Sequence, residues 1–272
     1  MNMNRKAIGV FDSGLGGLTV MKQLIRQMPQ EDIIYFGDTG RVPYGTKSTQ
    51  TIAKYAVQDI RFLLSKQVKM IIAACGTVSS VVPDLGDSLE IPYTGVVEHA
   101  ARRAAQLTRT EKIGVLGTPA TIRSNSYHRA LLALNPKLEV FQTDCPLFVP
   151  LVENDMFSTG DPIPSLVAQR YLAPILASGV DTIILGCTHY PLLAPVISQL
   201  TGDSVRLVDA GEETAIYTHR ILSERDALNP ESERGQYSFY VSDTIDNFVQ
   251  VATLFLGMDV GASVEKIAIE SY

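Results

Sequence analysis

The sequence predicts an α/β protein made of two related halves, each with a mainly parallel sheet flanked by helices. Short β-branched apolar runs alternate with stretches of helical apolar spacing along most of the chain, as in parallel sheets covered by helices. Four strand-like segments recur in the same order in both halves of the chain, over a distance too long for a short-period solenoid. Both copies contain a run of this kind that ends in a cysteine, Cys75 in the first and Cys187 in the second.

The strand-like segments are short runs rich in valine and isoleucine. Runs of this length between turn residues are typical of strands that are buried on both faces. We predict strands over residues 7–10, 32–36, 69–75, 91–96, 112–115, 138–142, 181–187, 204–208, 237–241 and 264–267.

The helix-like segments carry apolar residues at intervals of three and four. Residues 18–27 follow a glycine-rich turn, residues 48–65 place six apolar side chains on one side, and residues 98–107 are rich in alanine. Such spacing gives a helix one face that can pack on a sheet. We predict helices over residues 18–27, 48–65, 98–107, 121–134, 164–177, 211–225 and 244–255, and a solvated loop over 229–235.

The repeat sets the expected domain boundary. Sixty-seven residues separate Ile8 from Cys75, and 74 separate Ile113 from Cys187. The boundary between the copies falls near residues 97–110, whereas the segment after residue 208 has no counterpart in the first copy. We expect this tail to return to the first domain. The first domain then comprises residues 1–97 plus 208–272, and the second comprises residues 98–207.

Composition limits the classes of protein that need to be considered. The 272 residues are 46% apolar and 19% charged, which describes a globular chain with a sizeable core. The net charge is −6 and no basic run is present, so neither nucleic acid nor an anionic membrane is the expected partner. We expect neither a signal peptide nor a membrane-spanning helix, because no apolar run approaches about 20 residues. Three cysteines do not suit a disulfide framework, so we expect free thiols in the cytoplasm.

The matched cysteines are the leading candidates for chemistry. Each lies where a strand hands over to a helix, at the carboxyl end of a strand, where ligands of α/β proteins bind. Gly76, Thr77 and Ser79 suit such a turn and cap. A buried structural role is the alternative for either cysteine alone. The matched pair favours a site with a base on each face of its substrate.

Other polar residues carry weaker signals. His189 can tune the Cys187 thiol or act as its general acid, although Cys-Thr-His also resembles a fragment of a zinc site. Cys145 precedes a proline, lacks the pattern of the other two cysteines, and is expected to be structural.

Three loops also present candidates. The segment from Asp12 to Gly17 follows the first strand, and its glycines would let backbone approach a ligand, although it is only a loose relative of a dinucleotide fingerprint. The segment 41–45 is either a substrate loop or a surface turn. Glu153, which follows an apolar run, is either catalytic or merely solvated.

Taken together, these residues resemble the cofactor-independent aspartate/glutamate racemases over essentially the whole chain. The matching pieces are Asp12-Ser13-Gly14 with Gly16-Gly17, Pro43-Tyr44-Gly45, Cys75 with Thr77, Glu153, and Gly186-Cys187-Thr188-His189.

The resemblance implies two domains facing each other across a cleft, a homodimer, and interconversion of L- and D-glutamate without metal or pyridoxal phosphate, for peptidoglycan and cell-wall synthesis. It implies that one thiolate removes the α-proton while the opposite thiol returns one. Asp12 then assists Cys75, whereas Glu153 and His189 assist Cys187. The implied substrate contacts are Asp12, Ser13, Pro43, Tyr44, Gly45, Cys75, Gly76, Thr77, Thr188 and His189.

Position 76 departs from the family pattern. The family usually has asparagine there, and this chain has glycine, so one side-chain hydrogen bond to the substrate is missing. Losing a hydrogen bond to a charged group of the substrate, with no other bond to replace it, costs about 1.5–3 kcal/mol. The alternatives therefore include a racemase for aspartate or another small acidic amino acid. A non-catalytic two-lobed amino-acid binder and a thiol redox or zinc protein also stay open.

Overall fold

The computed structural model of the chain describes residues 3–272. Its strands are β1 (Ile8–Asp12), β2 (Ile33–Gly37), β3 (Met70–Ala73), β4 (Tyr93–Gly95), β5 (Lys112–Gly117), β6 (Glu139–Asp144), β7 (Thr182–Leu185), β8 (Arg206–Asp209), β9 (Tyr237–Val241) and β10 (Val264–Lys266). Its α-helices are α1 (Leu18–Gln27), α2 (Thr49–Ser65), α3 (Gly76–Val81), α4 (Val97–Leu107), α5 (Pro119–Ser124), α6 (Ser126–Leu134), α7 (Phe148–Glu153), α8 (Pro162–Ala177), α9 (Ala194–Thr201), α10 (Ala210–Glu224) and α11 (Ile245–Leu256).

The strands form two parallel sheets that share one topology. The first sheet has the order β10-β9-β2-β1-β3-β4, and the second has the order β6-β5-β7-β8. The four strands β2-β1-β3-β4 therefore correspond one to one with β6-β5-β7-β8, and every pairing in both sheets is parallel. The predicted fold class, two related α/β halves, is confirmed.

The central strands are apolar because both of their faces are covered. All four residues of β3 and all four of β7 are buried. Each fully buried isoleucine in these strands contributes about 1.5–3 kcal/mol through removal of apolar surface from water. One apolar cluster includes Val10 of β1 and Val115 of β5, so the core is shared by the two halves.

The tail of the chain completes the first sheet. Strand β9 pairs with β2, and β10 pairs with β9. This pairing supports the proposed first domain of residues 1–97 plus 208–272, with residues 98–207 as the second. The division itself stays a prediction, because α10 packs on both α1 and α4 and so contacts elements of both domains.

Three details differ from the sequence prediction. The single helix predicted over 121–134 is wrong, because Asn125 adopts the left-handed conformation (φ 55°, ψ 22°) and separates α5 from α6. Helix α7 is absent from the prediction, since its six residues are too few to show a helical period. After β7 a short 3-10 helix (Tyr190–Leu193) comes before α9; the sequence predicts a helix after Cys187 but neither its bounds nor the 3-10 helix.

The helices of both halves pack around the two sheets. Within residues 3–272, no helix has both the length and the apolarity that a membrane span needs.

Candidate active site

The carboxyl ends of the two sheets line one cleft of about 680 Å³. Loops that are distant in sequence meet there because parallel strands direct their carboxyl ends to the same sheet edge. The structure places all twelve sequence-predicted site residues on the wall of this cleft. They are Asp12, Ser13, Pro43, Tyr44, Gly45, Cys75, Gly76, Thr77, Glu153, Cys187, Thr188 and His189.

Neighbouring strands bring Asp12 and Cys75 together. Phe11 of β1 pairs with Ala73 of β3, so the residues that follow emerge side by side. Cys75 immediately precedes α3, and its Sγ lies 3.5 Å from Ser13 Oγ. Burial and the negative charge of Asp12 raise the pKa of Cys75 to about 12. Cys75 is therefore a protonated thiol near neutral pH.

Asp12 is a buried carboxyl at the end of β1. It is 2% exposed, and its Oδ2 accepts a hydrogen bond from Gly14 N at 2.9 Å. Burial raises the pKa of Asp12, while the positive charge of His189 and backbone hydrogen bonds act in the opposite direction. A carboxyl with a raised pKa can carry a proton at a higher pH than a solvated one.

The second half presents Cys187 with a chain of two further groups. Cys187 follows β7 by two residues, and its Sγ lies 3.8 Å from His189 Nδ1. The other ring nitrogen of His189 lies 3.1 Å from Glu153 Oε1, at the end of α7. Burial alone would lower the pKa of His189, but hydrogen bonds and negative charge from Cys187 and Glu153 raise it to about 10. His189 is therefore a cation near neutral pH.

The two thiols thus have unequal surroundings. Cys75 lies beside the carboxyl of Asp12, whereas Cys187 lies beside the cationic ring of His189. The two sides of the cleft therefore present opposite charges to the two sulfurs.

The glycine-rich loop after β1 contacts the second half directly. A Cβ at Gly16 would overlap Thr188 Oγ1 and the His189 ring, so only glycine fits there. Thr19 Oγ1 also donates to the Thr188 backbone oxygen at 2.6 Å. These contacts hold the Cys187-Thr188-His189 segment against the first half of the chain.

Tyr44 lines the cleft, but its hydroxyl mainly stabilises the loop 41–45. It is 1% exposed, and its hydroxyl donates to the carboxylates of Asp38 and Asp59. The Arg41 guanidinium pairs with the same two carboxylates, at 2.6 and 3.1 Å. The phenol therefore fixes the loop, and Pro43 and Gly45 are held on the cleft wall. Asp59 could have been suspected from the sequence, because it lies on the apolar face of the predicted helix 48–65.

Gly76 allows the cysteine loops of the two halves to approach closely. A Cβ added at Gly76 would lie 3.0 Å from the Gly186 backbone oxygen, on the loop that carries Cys187. That separation is tighter than ordinary van der Waals contact, so a side chain here would move one loop by a few tenths of an ångström. Glycine at position 76 therefore permits this close approach of the two loops. It also leaves the position without a hydrogen-bonding side chain.

Sequence reasoning missed some of the cleft wall. Residues that line the cleft without having been predicted include Thr118, Pro119, Thr121, Arg123, Pro146, Val149 and Pro150. The repeat could have indicated some of these residues, because Gly117 ends β5 as Asp12 ends β1, and the residues after both strands reach the cleft. Thr118 follows β5 as Ser13 follows β1. Thr118 also caps α5 by accepting from Thr121 N at 3.3 Å.

The surroundings of the three cysteines bear on the redox and zinc alternatives. All three cysteines are free thiols. Cys145 is fully buried, does not line the cleft, and donates weakly to the Thr143 backbone oxygen. Among the described residues, no group of three or more His, Cys, Asp or Glu side chains is arranged to hold a metal ion.

Comparisons with known proteins agree with this geometry. Residues 8–217 match the Asp/Glu/Hydantoin racemase family. A glutamate racemase of Geobacter metallireducens is 47% identical over 267 residues, which are 98% of each chain. The crystal structure of a Francisella tularensis glutamate racemase in complex with D-glutamate superposes with a TM-score of 0.90 at 38% identity, over 99% of this chain and 100% of that one. Glutamate racemase RacE1 of Bacillus anthracis gives a TM-score of 0.92 at 36% identity, over 97% of this chain and 98% of that one.

The family resemblance seen in the sequence is thus confirmed, and it is independent of any single motif. The matches run through both halves and through the loops that line the cleft. The chain belongs to the Asp/Glu/Hydantoin racemase family.

Proposed function

We propose that this protein interconverts L- and D-glutamate by two-base proton transfer between Cys75 and Cys187, without a cofactor. The observation that carries the proposal is the pair of thiols at equivalent strand ends of the two halves, on one cleft, with opposite electrostatic surroundings. Relatives over nearly the whole chain are glutamate racemases, and the F. tularensis structure contains D-glutamate.

The difficulty of the reaction explains why such a cleft is needed. The α-proton of an amino acid is a weak acid, because the adjacent carboxylate disfavours a carbanion. A buried cleft with preoriented hydrogen-bond donors stabilises the developing charge. The hydroxyls of Thr77 and Thr188 line the cleft and have no hydrogen-bond partner within residues 3–272, so they are available to a substrate.

The proton transfers balance across the two faces of the α-carbon. For one enantiomer, the Cys187 thiolate takes the α-proton, which breaks the C–H bond and forms an S–H bond. The Cys75 thiol gives its proton to the opposite face, which forms the inverted C–H bond and leaves a thiolate. The protein is then in the protonation state that accepts the other enantiomer.

The flanking groups return the thiols to their starting state. Asp12 has a raised pKa and lies close enough to Cys75 for their charges to interact, so it can return a proton to that sulfur. His189 contacts Cys187 and can accept or supply a proton there, with Glu153 holding the ring. Asp12, His189 and Glu153 therefore act as proton carriers or orienting groups in this proposal.

The family resemblance also supports a cellular role. We infer that the protein supplies D-glutamate for peptidoglycan and cell-wall synthesis, acts in the cytoplasm, and forms a homodimer. The measured mass in solution tests the last of these inferences, and a monomer would contradict it.

The reaction can be tested directly with purified protein in D₂O without added cofactor. With L-glutamate, we expect the optical rotation to decay to zero while deuterium replaces the α-proton. NMR measures this replacement. D-Glutamate should reach the same end point. L-Aspartate, tested in parallel, measures substrate preference.

The outcomes separate the alternatives. Racemisation of aspartate but not glutamate would move the substrate class to a smaller acid. Ligand-induced thermal stabilisation with no α-deuterium would indicate a binding protein and contradict the proposal.

Glu153→Gln should change the pH dependence of the reaction. The carboxylate helps to raise the pKa of His189 to about 10, above its ordinary value of 6.5, so its loss lowers that pKa. Protonated His189 stabilises the folded protein through its contacts with Cys187 and Glu153. This stabilisation is fully present below about pH 6.5 and is lost as pH rises through about 10. We therefore expect the alkaline limb of kcat to move to lower pH in the variant.

A matched control separates this effect from a general change in charge. Glu265 is exposed, distant in sequence and absent from the cleft wall, and Glu265→Gln removes the same charge. The control should leave the alkaline limb in place. An unchanged limb in Glu153→Gln would show that Glu153 does not set the protonation of His189.

A further inference from the structure

A second cavity of about 330 Å³ adjoins the active cleft and lies between the two halves of the chain. Gly45 and Arg123 line both cavities. The remaining residues of the second cavity come from three places: the loop before α2 and its first turn, the end of α3, and helices α5 and α6. They are Lys47, Thr49, Ile52, Ser80, Val81, Ala120, Ser124 and Arg129.

This cavity is positively charged in a chain whose net charge is −6. Lys47, Arg123 and Arg129 line it, whereas no aspartate or glutamate does. All three are exposed, and none makes an ion pair within residues 3–272. Arg129 is held in place by donation from Nη1 to the Ser124 backbone oxygen at 2.6 Å. Like charges gathered without a counter-charge repel each other, and a bound anion relieves that repulsion.

Two further features of the wall suit an anion. Ser80 is 2% exposed, and its buried hydroxyl has no hydrogen-bond partner in the described residues. Helix α2, 17 residues long, begins at Thr49 with no acidic residue in its first turn, and Ser48 Oγ accepts from one of its first N–H groups, that of Thr51, at 3.2 Å. The first turn of a helix presents unpaired N–H groups and a partial positive charge, which attract anions.

We propose that this cavity binds the phosphate or pyrophosphate group of a small anion and thereby joins the two halves of the chain. Three cations exceed what one carboxylate needs, and the guanidinium groups match the oxygens of a phosphate. Lys47, Ser80 and Arg129 do not line the active cleft, so the site is distinct from that of the amino-acid substrate. Its existence does not depend on the racemase reaction.

The test is calorimetric titration of the full-length protein with inorganic pyrophosphate at fixed ionic strength. Lys47→Gln with Arg129→Gln removes two of the cations and leaves Arg123, which also lines the active cleft. Lys137→Gln with Arg170→Gln removes the same charge from exposed positions outside both cavities. We expect the first pair to raise the pyrophosphate Kd at least tenfold, about 1.4 kcal/mol, and the second to change it less than twofold.

Single variants keep the test decisive if Arg129→Gln disturbs the contact with Ser124. Lys47→Gln alone should still weaken binding, and Arg129→Lys, which keeps the charge, should bind better than Arg129→Gln. The proposal fails if the wild type shows no binding heat at millimolar pyrophosphate. It also fails if the two double variants lose affinity equally, or if Lys47→Gln with Arg129→Gln binds like the wild type. Calorimetry does not depend on turnover, so these results are independent of the racemisation assay.

Discussion

Replacing either Cys75 or Cys187 with serine is expected to reduce racemisation of glutamate by about 10²–10⁴-fold, the usual contribution of a positioned acid or base. A serine hydroxyl has nearly the size of a thiol but is a far weaker acid, so it neither forms the base nor returns a proton at neutral pH. The reaction needs one proton removed and one delivered in each turnover. Loss of either sulfur therefore slows inversion by this large factor, although the other sulfur stays in place.

The two variants should differ in what activity survives. Each keeps one thiol on one face, so any residual α-proton exchange in D₂O should be limited to one enantiomer. The enantiomer should be opposite for Cys75→Ser and Cys187→Ser. NMR of L- and D-glutamate, incubated separately with each variant, measures this directly.

Cys145→Ser is the matched control, because Cys145 is buried like Cys75, and more deeply than Cys187, but does not line the cleft. The serine hydroxyl keeps a donor for the Thr143 backbone oxygen. We expect the control to racemise glutamate at close to the wild-type rate. Full turnover by Cys75→Ser or by Cys187→Ser would rule out the two-base scheme.

Asp12→Asn is the second change for which we expect a large loss, about 10²–10⁴-fold in kcat. Asparagine keeps the size of the side chain and an oxygen that can accept from Gly14 N, but it cannot ionise or carry a proton. Glutamate KM should change less than kcat, because the loss falls on proton transfer at Cys75. The same variant should be at least as stable as the wild type.

The stability expectation follows from the sign of the pKa shift. Burial raises the pKa of Asp12, so the ionised form is disfavoured in the folded state, and its cost appears as pH rises above the unfolded value of about 3.8. A neutral asparagine avoids that cost at neutral pH. We therefore expect an equal or higher Tm at pH 7, together with lower activity.

Asp209→Asn provides the control for this variant. Asp209 ends β8 as Asp12 ends β1, accepts from the N–H two residues further on at 2.8 Å, and also has its pKa raised by burial. It does not line the cleft. The control should therefore keep its activity. A similar loss of kcat in both variants would show that Asp12 acts through the fold and not through Cys75.

Much of this fold can be predicted from the sequence, because its signals are local. Buried parallel strands leave continuous β-branched runs such as 70–73 and 182–185, which are detectable without knowing their neighbours. The repeat then places Cys75 and Cys187 at equivalent strand ends. Parallel topology brings such ends to one edge, which is why the predicted site residues lie on one cleft.

Short or irregular elements cannot be predicted in the same way. The break at Asn125 depends on one residue in the left-handed conformation, and the surrounding apolar spacing predicts a continuous helix. Helix α7, which delivers Glu153 to His189, spans too few residues to show a period. Tyr44 matches a substrate-contacting position by resemblance, yet its hydroxyl is taken by two buried carboxylates.

The sequence by itself determined the two-half α/β architecture, the four strand segments that recur along the chain, and the two cysteines as a matched pair, because each follows from patterns within short segments. Only the tertiary structure decided the electrostatics of the site and the second cavity. The charge on His189 depends on Glu153, 36 residues away, and the cationic cavity gathers Lys47, Arg123 and Arg129 from separate elements. Burial and charge interactions act through space, and no local pattern records which side chains become neighbours once the chain is packed.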